Sequence, residues 1–187
     1  METLIAVLVG LGLAAAAGFR VFVPLLAVGL ASRFAELPLT ESFSWMGSTP
    51  ALLVFGAATV VEILAYYVPW IDNLLDTAAT PMAVLAGAVL TAAVVTDVDP
   101  VFRWSLAIVA GGGTASIFQG LTAGTRGISS LGTGGLGNSV VATGEWVGSV
   151  VLSVLAVVVP VLAVIVIALI LAWVGRRAAR RRPAKAA

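Results

Sequence analysis

The stretch Trp146–Gly175, WVGSVVLSVLAVVVPVLAVIVIALILAWVG, runs for thirty residues without a charge, and the ten residues behind it, RRAARRRPAK, contain six basic ones. About 20 apolar residues suffice to cross the hydrocarbon core of a bilayer, and a basic cluster directly behind them marks the cytoplasmic side. Thirty helical residues would reach about 45 Å at roughly 1.5 Å each, against a core of about 30 Å. The stretch therefore reads either as one steeply tilted helix or as two shorter ones folded near Pro160.

Working outward, the rest of the chain has the same character. Its 187 residues are 60% hydrophobic and 10% charged, with a mean hydropathy of +1.12. A soluble domain is about 45–50% apolar and about 25% charged. The expectation is one integral-membrane domain, residues 1–175, followed by a basic cytoplasmic tail, 176–187, in the cell (inner or plasma) membrane. Arg176, Arg177, Arg180, Arg181, Arg182 and Lys185 in that tail suit anionic lipid headgroups, and the bilayer is the expected partner. The tail is too short, and too isolated from any basic domain, to suggest nucleic acid. With only Glu2 and the α-amine charged before Arg20, residues 3–31 read as a retained helix, kinked or straight, rather than a signal peptide.

The other apolar segments are Leu4–Ser32, interrupted by Arg20; Thr49–Trp70, interrupted by Glu62; Thr77–Thr96; and Pro100–Thr125, with Arg103 near its start. The last segment extends back to Val140, with Glu145 near its start. Thr49-Pro50, Thr80-Pro81 and Asp99-Pro100 each place a capping side chain before a proline at the first helical position, where its missing N–H costs nothing. The predicted fold is all-α and polytopic, a bundle of about six spanning helices with both termini in the cytoplasm. Five spans fit the positive-inside rule slightly better, whereas Pro160 and the length of the last stretch favour six. Six would allow two inverted three-helix repeats, although no residue alignment between the halves supports them. Helices rich in small residues leave room for a homo-oligomer.

Three segments carry a family likeness. The first is Ala14-Ala15-Ala16-Ala17-Gly18-Phe19-Arg20, leading into Val23-Pro24-Leu25-Leu26. The second is Glu62, then Pro69-Trp70-Ile71-Asp72, then Asp76. The third is Gly134-Gly135-Leu136-Gly137-Asn138, followed by Glu145. On these segments the chain resembles a bacterial integral-membrane family known as domain of unknown function 4126. In that family pattern a second acidic residue often follows the glutamate of the third segment; in this chain the place is Trp146. The resemblance implies a multi-pass bacterial membrane protein and supplies no activity.

The chain has no Cys and no His. That removes disulfides, thiol and Ser-His-Asp catalysis, Cys/His zinc sites and histidine haem ligands. No cofactor is expected, and no nucleophile–base spacing speaks for an enzyme. What remains is a set of polar residues inside apolar segments. An Arg at a helix centre is unfavourable by about 2.5–3.5 kcal/mol on insertion scales, so Arg20 should face protein or water. It fits either an anion site or gate, or an Arg that pairs with a carboxylate and locks two helices. Pro24, four residues on, cannot donate to the Arg20 carbonyl and is a candidate helix break. Glu62 is the natural ion-pair partner, with a proton relay and a cavity-lining residue as its other readings; Tyr66 lies one turn along the same face.

Asp72 and Asp76, spaced i and i+4, fit either part of a hard-cation site or a solvated interfacial turn. Asp99 reads as a cap, with Asp97 beside it. Gly111, Gly112 and Gly113 fit an unwound stretch lining a pathway or a small face for close packing, with Gln119 nearby as a polar contact. The Gly-rich stretch 124–144, holding Arg126 and leading to Glu145, reads first as a flexible connector and second as a re-entrant loop with anion-binding nests. Arg20, Glu62, Gln119, Arg126 and Glu145 together suggest a small-solute or ion transporter or channel. The competing reading is a non-transporting membrane scaffold or assembly partner.

Overall fold

The computed structural model describes residues 2–67 and 71–180, without the side chains of 71–74, 76, 77, 178 and 179. All regular structure among them is helical: α1 (Glu2–Phe19), α2 (Phe22–Phe34), a short 3-10 helix (Glu41–Gly47), α3 (Thr49–Ala65), α4 (Ile71–Val94), α5 (Pro100–Leu106), a π-helical turn (Ala107–Gly112), α6 (Gly113–Thr133), α7 (Asn138–Val158) and α8 (Pro160–Arg180). By length and apolarity four stretches can cross a membrane: Glu2–Phe19, the continuous Pro100–Thr133, Asn138–Val158 and Pro160–Arg177. The 3-10 helix and α3, bent by 67°, make a fifth if they are counted as one span; Phe22–Phe34 and Ala78–Val94 are apolar but shorter. The expected six helices thus become eight, with four to five candidate spans. The chief reason is that the first apolar segment breaks at Arg20–Val21 instead of bending gently.

The last stretch does divide where Pro160 predicts. Helix α7 ends at Val158 and Pro160 opens α8, because a proline cannot donate to a preceding turn but fits the first position of a new one. On α8 the apolar residues Val161, Ile165, Leu169 and Trp173 recur every fourth position and are exposed. Such a stripe is what a lipid-facing helix presents.

Helix α1 is the centre of the bundle. Leu13 and Ala14–Ala17 are fully buried, and α4, α6, α7 and α8 all pack on it. Small side chains allow this because backbones can approach closely. At Gly18 an added Cβ would lie 2.5 Å from the Cβ of Phe118 and 2.6 Å from the Ala115 carbonyl oxygen, so α1 crosses α6 at that point. Gly111 serves the same purpose: a Cβ on Gly87 would lie 2.8 Å from the Gly111 carbonyl oxygen. The chain there stays helical and widens into the π turn, with Gly111 and Gly112 packed closely and nothing within 4 Å of a Cβ on Gly113.

Contacts along α1 fix the directions of its neighbours. Gly12 meets Ala156, Ala16 accepts from Ser149 and Arg20 reaches Glu145, so α7 runs antiparallel to α1. Gly12 also meets Ala163, while Ala15 and Ala16 pack with Ile167 and Ile170, so α8 runs parallel to α1. Helices α1 and α2 form a hairpin: they meet at Arg20–Val21, and Leu37, just beyond α2, lines the same cleft as Glu2. Glu2 and the C-terminal end of α8 therefore lie at opposite ends of the bundle. This corrects the expectation that both termini share a side.

Three local expectations also change. Ser48, not Thr49, caps α3, its hydroxyl accepting from the Ala51 N–H at 3.3 Å; the Thr49 hydroxyl accepts from Arg33 at 2.6 Å. Pro81 lies inside α4 rather than at its start. The Gly-rich 124–144 stretch is helical except for a tight turn at 134–137, in which Gly134 and Gly135 take φ of +62° and +92°. Glycine adopts this left-handed conformation without strain and so ends α6. Asp99 caps α5 as predicted, accepting from the Val101 and Phe102 N–H groups.

Candidate functional site: a buried charge cluster at the α1–α2 break

Arg20 ends the hydrogen-bonding of α1, its N–H donating to the Ala16 carbonyl at 3.0 Å. The next two N–H groups, those of Val21 and Phe22, open α2 and have no helical partner. Glu62 on α3 supplies one: Oε1 accepts from Val21 at 2.9 Å and Oε2 from Phe22 at 3.1 Å. A carboxylate at the start of a helix satisfies orphan donors and faces the positive end of the helix dipole. Pro24 falls in the first turn of α2, where a missing N–H is harmless; the break lies before it, at Arg20–Val21. The Ser149 hydroxyl donates to the Ala16 carbonyl at 2.9 Å and lies 3.5 Å from the Arg20 carbonyl oxygen that Pro24 leaves without a donor.

The Arg20 guanidinium turns away from Glu62 and towards α7. Its Nη2 donates to Glu145 Oε2 at 2.8 Å and to the Ala142 carbonyl at 3.3 Å. Arg126, from α6, donates Nε to Glu145 Oε1 at 2.9 Å, and its Nη2 also meets Oε2. Glu145 thus binds two arginines from two different helices. Arg20 is 2% exposed, and Arg126 and Glu145 are 4% exposed each. Both guanidinium carbons also lie against the Tyr66 ring, at 3.6 Å and 4.0 Å from its centre, within the range of a cation–π contact.

The predicted Arg20–Glu62 ion pair is therefore replaced by an Arg20–Glu145–Arg126 cluster, with Glu62 capping α2 next to it. The reason is geometric: α3 brings Glu62 to the backbone of the break, whereas α7 brings Glu145 to the side chain. Gln119 is buried on α6, with its backbone N–H level with Gly18. Arg20, Glu62, Gln119, Arg126 and Glu145 thus gather around one place, the tip of the α1–α2 hairpin. Asp72 and Asp76 have side chains outside the described residues. Among the described residues no three carboxylates gather as a metal site.

Two participants escape the sequence reading in these roles. Tyr66 shares a helix face with Glu62, yet no sequence signal marks it as the ring shared by two arginines. Ser149 stands out only by lying four residues after Glu145, and so on the same helical face. Trp146, where the family pattern often has an acid, points away from the cluster's carboxylate and donates from Nε1 to the Tyr67 hydroxyl at 3.3 Å; that hydroxyl also meets Thr143 Oγ1 at 2.7 Å.

Among the described residues, Nε and Nη1 of Arg20 are buried without a hydrogen-bond partner. A buried donor left unpaired costs about 1–3 kcal/mol, more when charged. The arrangement is that of an all-α protein with four to five candidate membrane spans and a broken helix hairpin tipped by charge. Residues 7–181 match the family described as "Domain of unknown function (DUF4126)", and the chain belongs to that family. No curated protein and no solved structure matches it.

Proposed function

We propose that this chain is a multi-span membrane protein that passes a small anionic solute, with the Arg20–Glu145–Arg126 cluster as the gate at the tip of the α1–α2 hairpin. The observation that carries the reading is the Arg20 guanidinium, which offers two buried nitrogens, Nε and Nη1, whose N–H groups no described residue accepts. Broken helices are where transporters place solute sites, because a half-helix end and its neighbours present unsatisfied polar groups inside the bundle. The cluster is closed in this conformation, so passage requires the Glu145 contacts to open. The basic C-terminal residues are placed on the cytoplasmic side by the positive-inside rule, and Arg176, Arg177 and Arg180 there suit anionic lipid.

The test is flux into vesicles that hold the purified chain, measured over a panel of halide, carboxylate and phosphate anions. Wild type should carry at least one of them, and Arg20→Gln should reduce that flux at least tenfold. Flux equal to that of empty vesicles across the whole panel, or full flux in the Arg20→Gln variant, would overturn the reading.

A second reading has its own support. Glu145 ties α6 and α7 to the tip of α1, so the cluster can serve as a lock in a scaffold that transports nothing. It predicts that exchanging the charges of Arg20 and Glu145 together recovers stability lost in either single change, while no anion moves.

A further inference from the structure

A cleft of about 390 Å³ opens at the Glu2 end of the bundle, far from the charge cluster, lined by Glu2, Ile5, Ala6, Val9, Leu37, Pro38, Val94, Thr96 and Asp97. Six of its nine lining residues come from α1 and the 35–40 segment, and the rest from the end of α4 and the turn after it. The walls are aliphatic. The two ionisable lining residues, Glu2 and Asp97, are both acidic and both exposed. The surrounding charge has the same sign: this end also carries Glu36, Glu41 and Asp99 against Arg33 and Arg103, and Arg33 is engaged with Thr49.

Two of the walls are shaped by unusual backbone. Among the described residues, Glu36, next to Leu37, and Asp97 are the non-glycine residues with positive φ, at 54° and 55°. A left-handed conformation is disfavoured for residues bearing a Cβ and persists where the surroundings impose it. At these two positions it turns Leu37-Pro38 and Thr96-Asp97 to form the sides of the cleft.

We propose that this cleft binds a small alkylammonium compound, its apolar body against Ile5, Val9, Leu37 and Val94 and its cationic head at Glu2 and Asp97. Charge complementarity selects the cation, since among the described residues none that lines the cleft is basic. Size selects a free small molecule over a two-chain lipid: ligand sites span about 300–1,000 Å³, and this one is near the lower bound. The proposal does not depend on anion passage at the Arg20 cluster.

The experiment is calorimetric titration of the full chain in a neutral maltoside detergent with octylammonium, octanoate and octanol, each below its micelle concentration. Octylammonium should bind saturably at one site per chain, at least fivefold more tightly than octanoate or octanol. The doubly neutralised variant, Glu2→Gln with Asp97→Asn, should lose that preference while still binding octanol. Ile5→Trp, at a half-exposed position that tolerates change, should weaken octylammonium at least tenfold by filling the cleft. Equal binding of octanoate and octylammonium, an unchanged preference in the neutralised variant, or undiminished binding by Ile5→Trp would each overturn the proposal.

Discussion

Replacing Glu145 with Gln tests the cluster most directly. The change keeps the size of the side chain and removes the one charge that Arg20 and Arg126 share. In the native chain three guanidinium N–H groups point at the two Glu145 oxygens. Charge-assisted hydrogen bonds contribute about 1.5–3 kcal/mol each, which as independent bonds would give roughly 5–9 kcal/mol. They are not independent. Arg20 keeps the Ala142 carbonyl and both arginines keep the Tyr66 ring, and Gln still offers one acceptor oxygen. Removing one partner of a buried ion pair typically costs about 3–5 kcal/mol, because the remaining charge is left uncompensated. That range is the expected loss. At about 2–4 °C per kcal/mol for a chain of this size, the midpoint of thermal unfolding in detergent should fall by roughly 6–20 °C, read from tryptophan fluorescence. Glu62→Gln is the internal comparison. It keeps an acceptor for one of the Val21 and Phe22 N–H groups and takes from the other its acceptor, along with the charge at the helix start, a loss of about 1–3 kcal/mol. A loss under about 1 kcal/mol in Glu145→Gln, or a larger loss in Glu62→Gln than in Glu145→Gln, would refute the assignment of Glu145 as the hub.

Other positions test other parts of the fold. Gly18→Leu should separate α1 from α6, since the new side chain would begin inside the contact distance of Phe118 and of the Ala115 carbonyl; overpacking of this kind costs about 1–3 kcal/mol, and a midpoint shift below about 1 °C would mean that the two helices do not touch at this crossing. Gly134→Ala forces a Cβ into a left-handed turn and should cost about 1 kcal/mol, whereas Gly124→Ala within α6, where nothing lies within 4 Å, should be neutral or slightly stabilising; the reverse ranking would count against the α6–α7 turn. Because the native chain has no cysteine, single cysteines report sidedness cleanly. Glu36→Cys and Leu136→Cys should label from opposite sides of a sealed vesicle, with Leu136→Cys on the side of the C-terminal tail; labelling of both from one side would contradict the α1–α2 hairpin and the antiparallel run of α7 against α1.

The sequence made some of this readable and hid the rest for a physical reason. Apolar length located α1, α7 and α8, and Pro160 and Asp99 marked true boundaries, because capping and proline geometry are local. The members of the charge cluster were readable too, since an ionisable residue in an apolar segment is costly wherever its partner is. The pairing was not readable. Arg20 and Glu145 are 125 positions apart, and nothing local distinguishes Glu145 from Glu62 as the partner. The small and polar face of α7, Ala142, Glu145, Ser149 and Ser153, does recur at helical spacing and is buried throughout. That periodicity was the available sign that Glu145 points inward. The glycine-rich 124–144 stretch misled because glycine weakens an isolated helix in water by about 1 kcal/mol per residue relative to Ala. In the folded chain the stretch is helical on both sides of the 134–137 turn, and Arg126 within it is tied to Glu145 just beyond it, a tertiary contact that local propensity does not report.

The placement of the charge follows from where the α1–α2 hairpin ends against α6 and α7. Helix α1 has 18 residues and α2 has 13, about 27 Å and about 20 Å at 1.5 Å per residue. Both arms end beside the cleft at the Glu2 end, and the tip meets α6 and α7 before the turn that joins them. Glu145 lies seven residues into α7 and Arg126 seven residues before the end of α6, so the cluster sits about 10 Å below the α6–α7 turn. At that depth the start of α2 exposes N–H donors where there is neither water nor a preceding turn, and a carboxylate must meet them. Glu62 does so. A lone carboxylate there would itself be uncompensated, and Arg20, the residue immediately before the break, carries the opposite charge into the same region. The guanidinium in turn needs an acceptor, which α7 provides through Glu145, and Arg126 joins the same carboxylate from α6. One break in one helix thus accounts for charged residues on four helices. It follows that joining α1 to α2 as a continuous helix would leave Glu62, Arg20 and Glu145 together without their purpose, so their stability effects should be coupled rather than additive. A triple-mutant cycle in which the three losses simply sum would show instead that the break and the cluster are independent of each other.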